Sequence, residues 1–382
     1  MKKVLIYSWF LFLLGISCSQ PKENKIIGTW IASPKHNSFL NSKNEMEKSI
    51  DILHSKGINT LYICVWDEQK TAFKSKVLLE NSIYKEIDDT SFFGNGYLSN
   101  TNDPVKDLIY YAHSKGMKVL FWFEYGFMSK INTIPNVNND VILGKNPHWL
   151  AIGNDQKPSN YNGTDYYYNS FHPEVQNFMF KLVEESINLY PEIDGIQFDD
   201  RMPAAPVNSG YDVWTINQYK AENSGEIPPS NFRDSKWFKW RIDKLNSFAK
   251  SLIGRIKTNG DYLVSFSPNI YPWSYENLMQ DWPTWISEND VDIFNVQCYR
   301  KNFKDYKNVI DQVLGYTGNI FPKTKISPGI ILGTSDIRMM NAETLDSILG
   351  YNKKINLNSH SFFYIKWILE DDYYDRQLLK FN

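Results

Sequence analysis

The stretch Gly195-Ile-Gln-Phe-Asp-Asp-Arg201 joins a short apolar run to two adjacent carboxylates. The apolar residues are typical of a buried strand, and Asp199 and Asp200 stand at its C-terminal end. A strand cannot bury two carboxylates cheaply, so a carboxylate at its exit normally has a partner, a ligand or a reaction. Met202-Pro-Ala-Ala-Pro206 stops the strand and fixes its direction. The sequence therefore predicts a buried strand with an acidic end.

Similar β-branched or aromatic runs recur along the 382-residue chain, each followed by an amphipathic stretch. Strands are predicted at residues 28–33, 58–66, 118–125, 195–199, 262–268, 292–299, 325–332 and 361–369. Helices are predicted at residues 43–56, 104–115, 173–189, 235–257, 275–288, 304–314 and 342–353, with a last short one after residue 370. Eight strands that alternate with eight helices predict a single parallel (β/α)8 barrel of the TIM type.

A doubly wound open sheet is the alternative arrangement. Its dinucleotide-binding form needs a glycine-rich first turn, and Ser33-Pro34-Lys35-His36 contains no glycine. Extended loops after strands two, three and four account for the length beyond a typical barrel. We expect a signal peptide over residues 1–17, a polar tether over residues 18–25 and the barrel over residues 26–382.

The N-terminus predicts lipid attachment. Two lysines precede the apolar run of residues 4–14, which is too short to cross a bilayer comfortably. Leu14-Gly-Ile-Ser-Cys18 resembles the lipobox of bacterial lipoproteins, although Gly15 departs from its usual leucine or branched residue. An ordinary cleaved signal is the alternative. We expect a lipid on Cys18 and a place in the bacterial cell envelope, with the outer membrane favoured and the membrane face left open.

Composition argues against several classes of function. The net charge of −2 disfavours nucleic acid as a partner. Cys64 and Cys298 fall in strands on opposite sides of the predicted barrel, so no disulfide is expected. The six histidines lack metal-binding spacing, and no phosphate loop or Gly-x-Ser-x-Gly motif occurs. We therefore expect no metal and no cofactor, and chemistry that comes from carboxylates and aromatic side chains.

The carboxyl ends of the predicted strands carry acids and aromatic residues, and the active site of such a barrel is built from those ends. Acids follow strands two, three and four, as Asp67, Glu124 and the Asp199-Asp200 pair. The polar and aromatic candidates for substrate binding are Trp122, Asn269, Gln297, Tyr299 and Trp367. Glycoside hydrolysis uses one carboxylic acid to protonate the leaving oxygen and a second carboxylate to attack the anomeric carbon or activate water.

Side-chain alternation directs Gln197 and Asp199 toward the barrel axis. Asp199 is therefore the first choice for nucleophile or base, while Asp200 orients it, caps the next turn or acts in its place. The structural alternative is that one aspartate caps a loop and the other pairs with Arg201 or Arg241.

Glu124 is the candidate general acid, because burial beside aromatic residues would raise its pKa. A glutamate satisfied by a lysine or by loop amides is the alternative, and Asp67 and Asp336 are in reserve. We expect about 5–6 Å between the Glu124 and Asp199 carboxyl groups, a spacing associated with retained configuration. We also expect Asp67 to contribute to substrate binding.

The amides of Asn269 and Gln297 are candidates to bind sugar hydroxyls, and Tyr299 to bind the sugar or the nucleophile. Trp122 and Trp367 are candidates to stack on sugar rings. For each of these side chains, packing in the core is the alternative.

Six segments resemble the corresponding stations of the glycosyl-hydrolase-like family ten, and together they span roughly residues 26 to 370. The segments are Gly28-Thr-Trp-Ile-Ala-Ser33, Gly57-Ile-Asn-Thr-Leu-Tyr62, Gly116-Met-Lys-Val-Leu-Phe-Trp122, Asp194-Gly-Ile-Gln-Phe-Asp-Asp200, Ser265-Phe-Ser-Pro268 and Val296-Gln-Cys-Tyr299. The resemblance implies a barrel that is often lipid-anchored, in a family with bacterial enzymes acting on cell-wall glycan. Strands two and three of that family commonly end in arginine–proline and asparagine–proline, whereas Trp66-Asp67 and Glu124-Tyr125 stand here.

The sequence thus predicts a lipid-anchored glycoside hydrolase that acts on an oligo- or polysaccharide or a cell-wall glycan through two carboxylates. Two alternatives stay open. One is a glycan-binding lipoprotein without catalytic activity. The other is a metal-assisted enzyme in which Asp67, Asp199 and Asp200 bind calcium or magnesium. The glycan, its linkage and the oligomeric state are not predicted.

Overall fold

The computed structural model describes residues 25–33, 39–86, 103–130, 140–159, 165–318, 320–370 and 372–380. The predicted signal peptide, Cys18 and nearly all of the tether lie outside the described residues. The predicted boundaries therefore stay a prediction. Among the helices described, none has the length and apolar character that crossing a membrane requires.

Eight parallel strands form the central sheet, in the order β10-β9-β8-β5-β2-β1-β12-β11. The described strands are β1 (Ile27–Ile31), β2 (Thr60–Cys64), β3 (Trp66–Asp67), β4 (Lys70–Thr71), β5 (Lys118–Phe123), β6 (Met128–Lys130), β7 (Asp165–Tyr167), β8 (Gly195–Phe198), β9 (Leu263–Phe266), β10 (Ile293–Phe294), β11 (Gly329–Ile331) and β12 (His360–Phe363). Two isolated parallel bridges, Phe294 to Ile326 and Gln297 to Gly329, connect the edge strands and close the sheet. The prediction of a parallel (β/α)8 barrel is confirmed.

Helices connect the strands and cover the outside of the barrel. They span Lys43–Ser55, Lys76–Glu80, Pro104–Ser114, Pro173–Leu189, Val213–Glu222, Ser235–Asn259, Trp273–Leu278, Trp282–Glu288, Phe303–Thr317, Ala342–Lys354, Lys366–Leu369 and Asp375–Leu379. Side-chain caps begin many of them; Asp103, for example, accepts a hydrogen bond from the Lys106 amide at 3.0 Å. Their apolar faces bury residues such as Leu108 and Ile109 against the sheet.

Several predicted elements have different boundaries in the structure, and two of the differences have a clear physical cause. The predicted helix 275–288 is two helices, because Met279 between them has a left-handed φ of 54°. The predicted strand 361–369 ends at Phe363, and Lys366–Leu369 is a short helix. A short apolar run does not distinguish strand from helix by periodicity, so the strand was predicted too long. The helix Val213–Glu222, in the loop after β8, was not predicted.

Polar side chains fill the barrel interior below its carboxyl end. Gln197 accepts a hydrogen bond from the Trp30 indole at 2.6 Å and donates to Ser265 at 2.9 Å and Asn295 at 3.0 Å. Asn295 in turn donates to Ser361 at 2.9 Å. All five side chains are buried and hydrogen-bonded, which is the condition for a stable polar interior.

The loops after β5 and β8 join into one wall at the carboxyl end of the barrel. Gly153 and Ser209 form a bridge between them, and the Tyr211 amide donates to the Ile152 carbonyl at 3.0 Å. The buried Arg241 guanidinium donates to the Ser209 carbonyl at 2.8 Å and also to that of Phe232. Arg241 therefore holds the loop after β8, whereas Asp199 and Asp200 are bound by side chains at the strand ends, including Arg201 and Asn269.

Candidate active site

Asp199 follows β8 directly, and its side chain is only 3% exposed. One carboxylate oxygen accepts the Arg201 backbone amide at 3.0 Å. The other accepts the Arg201 guanidinium at 2.8 Å and the Trp122 indole N–H at 3.3 Å. Burial raises the pKa of Asp199 well above its ordinary value, and the Arg201 charge opposes that shift. The charge state of Asp199 therefore depends on Arg201.

Asp200 is the more accessible of the two acids, with a side chain 20% exposed. It accepts hydrogen bonds from the Asn269 amide at 2.8 Å, from the Gln297 amide at 3.4 Å and from the Arg201 guanidinium at 3.3 Å. Gln297 also donates to the Ser267 carbonyl at 3.0 Å, which fixes its orientation. Two predicted substrate-binding amides thus converge on Asp200 from the ends of β9 and β10.

Arg201 connects the acids. Besides both aspartates, its guanidinium donates to the Glu124 backbone carbonyl at 3.2 Å and lies 5.3 Å from the Tyr125 ring centroid. Burial opposes the charge on Arg201, but Asp200 and Asp199 raise its pKa well above the ordinary value. Arg201 is therefore a cation at any physiological pH. The sequence predicts only a structural partner at this position, although the place of Arg201 directly after the acid pair is a signal for a role in the site.

Glu124 follows β5, next to β8 in the sheet. Its charge contributes to raising the pKa of Asp199. It also adds to the effect of burial on the Cys64 thiol, whose pKa is raised well above its usual range and whose side chain lies at the end of β2. Glu124 therefore lies near Asp199 and the Cys64 thiol, at the carboxyl ends of neighbouring strands. The predicted separation of about 5–6 Å from Asp199 stays a prediction.

Tyr299 also belongs to this group. Its ring lies 5.5 Å from that of Phe363. Burial raises the pKa of its phenol well above the ordinary value, and the charges of Asp200 and Asp199 add to that increase. The phenol is therefore protonated and available as a hydrogen-bond donor beside the acids. Asp67 is buried in the small β3–β4 hairpin, and its charge contributes, after burial, to raising the Tyr125 pKa.

The two candidate stacking tryptophans are both mostly enclosed. Trp122 uses its indole N–H to hold Asp199. Trp367 lies on the short helix after β12, where it donates to the Thr334 carbonyl at 2.8 Å and packs beside Arg338, 5.2 Å from its ring centroid. Trp122 is 4% exposed and Trp367 8% exposed, which leaves little ring surface for a sugar. Stacking by either ring stays a prediction.

Cys64 and Cys298 are free and buried, as the sequence predicts. Within the described part of the chain, no group of three or more histidine, cysteine, aspartate or glutamate side chains is arranged to hold a metal ion.

Comparisons with known proteins find relatives among the glycosyl hydrolases. Residues 25–346 match the family model described as glycosyl hydrolase-like 10. The chain is 22% identical over 335 residues to glycosyl hydrolase YngK of Bacillus subtilis, covering 77% of this chain and 58% of that protein. It is 27% identical over 182 residues to glycosyl hydrolase DigH of Escherichia coli strain K12, covering 44% of this chain and 36% of that protein. The chain therefore spans little more than half the length of YngK.

Solved structures with this fold include glycosidases. The glycoside hydrolase domain of PgaB (BpsB) from Bordetella bronchiseptica superposes with a TM-score of 0.62 at 12% identity, over 92% of this chain and 97% of that chain. The catalytic domain of beta-amylase from Paenibacillus polymyxa gives a TM-score of 0.59 at 10% identity, over 91% and 94%. At such low identity the likeness concerns the fold alone. The family match is stronger evidence than the likeness in fold, and it shows that the chain belongs to the glycosyl hydrolase-like 10 family.

Proposed function

We propose that this protein hydrolyses glycosidic bonds of a polysaccharide or cell-wall glycan with two carboxylates. The observation that carries the proposal is the placement of Asp199 and Asp200 around Arg201 at the carboxyl end of the barrel, with Glu124 at the end of the adjacent strand β5. Asp199 and Asp200 share the Arg201 guanidinium, and burial raises the pKa of Asp199 well above its ordinary value. Glu124 and Asp200 are then the proposed proton donor and carboxylate that glycoside hydrolysis requires.

Within this proposal, Asp200 is the carboxylate that contacts the anomeric carbon or the attacking water. A reacting group must reach the sugar, and Asp200 is 20% exposed where Asp199 is 3% exposed. Asp199 is then a positioning residue, which holds Arg201 through two hydrogen bonds. This assignment differs from the preference for Asp199 drawn from side-chain alternation, because alternation predicts the face of a side chain but not its contact with solvent.

Glu124 is the proposed general acid. Its proton passes to the glycosidic oxygen as the bond to the anomeric carbon breaks, and Asp200 attacks that carbon or removes a proton from the attacking water. Arg201 donates to both aspartates, and the Tyr299 phenol is a neutral donor whose pKa is raised by burial and by their charges, so both are suited to stabilise the carboxylates as charge moves.

The proposal is tested by incubating the full-length protein, in detergent, with purified glycans that include peptidoglycan stripped of its peptides. New reducing ends are measured by mass spectrometry, with Asp200→Asn as the matched inactive control. Cleavage of at least one glycan by the parent but not by the variant supports the proposal. Equal products from both proteins would refute it. Binding without cleavage would favour the non-catalytic alternative, and loss of activity on adding a chelator would favour the metal-assisted one.

The proposal includes a lipid on Cys18 and a position at the bacterial outer membrane. Its support is the lipobox-like Leu14-Gly-Ile-Ser-Cys18 after a short apolar run. Several acyl chains on one cysteine would give stable attachment where a single chain gives only marginal binding.

A further inference from the structure

A second cavity lies in the wall formed by the loops after β5 and β8. Its volume is about 580 Å³, within the range of small-molecule sites. Both loops leave the carboxyl ends of their strands, so this cavity opens at the same end of the barrel as Asp199 and Asp200. The side chains that matter for the argument are His148, His172, Tyr211, Asp212, Trp214 and Asn217. No functional role is predicted from the sequence for any of these six side chains.

Three aromatic rings stand side by side along the cavity. The His172 ring centroid lies 5.0 Å from that of Trp214 and 5.4 Å from that of His148. Glu174 holds His148 through a contact of 2.8 Å to its Nε2 atom. Trp214 is half-buried, so part of its ring faces the cavity. A fixed, partly exposed indole of this kind offers a flat apolar surface with little conformational entropy to lose on binding.

His172 contributes a polar group to this surface. Its Nδ1 atom accepts the Glu174 backbone amide at 3.2 Å, so the neutral ring carries its proton on Nε2. Burial lowers the pKa of His172, which keeps the ring neutral near pH 7. The described residues that line the cavity include no lysine or arginine.

Asp212 has an unused acceptor in this wall. The residue is 9% exposed, and one carboxylate oxygen caps the helix Val213–Glu222 by accepting the Thr215 amide at 2.9 Å. The other oxygen, Oδ2, is buried and has no hydrogen-bond partner among the described residues. A buried carboxylate oxygen without a donor is costly, so a ligand hydroxyl that donates to it would be bound favourably.

We propose that this cavity binds a segment of a neutral glycan chain, apart from the segment held at Asp200. The proposal takes its ligand class from the proposed function and deepens it. Trp214 supplies the apolar surface for a sugar ring, Asp212 accepts from a hydroxyl, and the exposed amide of Asn217 adds a donor and an acceptor. An anionic glycan is disfavoured, because Asp212 and the neighbouring Glu174 would repel it.

The test uses the full-length Asp200→Asn protein, so that binding is measured without cleavage. Hexasaccharides of β-1,4-N-acetylglucosamine, β-1,4-glucose and α-1,4-glucose are titrated by calorimetry. Trp214→Ala should weaken the tightest-bound hexasaccharide about tenfold or more. Asp212→Asn, which retains a good helix cap, should weaken it several-fold. Tyr110→Ala, on a 79% exposed ring of the outer helix Pro104–Ser114, should change nothing.

The outcomes separate the cavity from the active site. Equal binding by the Asp200→Asn protein and its Trp214→Ala and Asp212→Asn derivatives would place all binding at the active site and overturn the proposal. Failure of all three hexasaccharides to bind would overturn it as well. Binding that depends on Trp214 in a protein whose Asp200 parent cleaves nothing would refute the proposed hydrolase but keep the glycan site. In an active protein, Trp214→Ala should raise KM for polymer several-fold, whereas Tyr110→Ala should leave it unchanged.

Discussion

Replacing Asp200 by asparagine is expected to lower kcat by about a thousandfold or more. The substitution is nearly isosteric, but it removes the charge that reacts in the proposed mechanism. It also turns one carboxylate oxygen into an amide that faces the donors of Asn269 or Gln297, at present 2.8 and 3.4 Å away. A thousandfold loss corresponds to about 4 kcal/mol of transition-state free energy. The side chain is one-fifth exposed, so the free energy of unfolding should change by only about 1 kcal/mol or less.

Asp199→Asn should show the opposite balance. Its carboxylate is enclosed and accepts three hydrogen bonds, two of them from Arg201. Removing the charge leaves a partly buried guanidinium with a weaker partner, which should cost about 2 kcal/mol of stability. Because Arg201 remains paired with Asp200, kcat should fall only about 10- to 100-fold at temperatures where the variant is folded.

The two variants are compared by release of reducing ends and by denaturant unfolding, with Asp261→Asn as a control on an exposed acid that precedes β9. The control should match the parent in both measurements. The reasoning is refuted if Asp199→Asn loses more kcat than Asp200→Asn while both proteins stay equally stable. Asp199 would then be the reacting carboxylate, and accessibility in the unliganded protein would be a poor guide to contact with the sugar.

Three other outcomes are expected. Glu124→Gln should lower kcat about 10²- to 10⁴-fold on glycans, and less on aryl glycosides whose leaving group needs no proton; an equal loss on both would exclude it as the acid. Cys18→Ala should abolish fatty-acid labelling and leave an unprocessed precursor, whereas unchanged labelling and cleavage would favour an ordinary signal. Burial lowers the pKa of His360 from 6.5 to about 4, so the unfolded chain binds more protons in that interval and stability falls as pH decreases through it. The slope should approach 1.4 kcal/mol per pH unit and be shallower in His360→Leu, as measured by unfolding across pH 4–7; parallel curves would contradict this reading.

Much of the barrel could be predicted because the sequence of each βα unit shows its own hydrophobic periodicity and helix-capping residues. Gly195 to Phe198 is an apolar run of strand length, and Asp103-Pro104 begins a helix as expected. The predictions that were wrong concern segments whose conformation depends on tertiary contacts. The run after Phe363 is as apolar as the strand before it, and only its packing against the loop after β11 makes it helical.

For the candidate site, the sequence predicts which strand ends carry acidic side chains. It does not predict which hydrogen bonds each carboxylate accepts. Side-chain alternation predicts that Asp199 points inward. The enclosure of Asp199 and the exposure of Asp200 follow from the position of Arg201, whose guanidinium donates to both carboxylates. The cavity beside Trp214 could not be predicted, since it needs two loops that are distant in sequence and meet through the Gly153 to Ser209 bridge.

The side chains of Gln197, Ser265, Asn295 and Ser361 form one hydrogen-bonded layer across the barrel interior, so the effects of substitutions at these four positions depend on one another. Each amide is oriented by its neighbours, so an apolar residue at position 197 would leave the Trp30 indole without its acceptor and would remove a donor from Ser265 and from Asn295. A laboratory evolution campaign would therefore find few viable single steps there and would need concerted changes across the layer. Substitutions that alter substrate preference are therefore expected mainly at the carboxyl end of the barrel, in the long loops that leave β5 and β8.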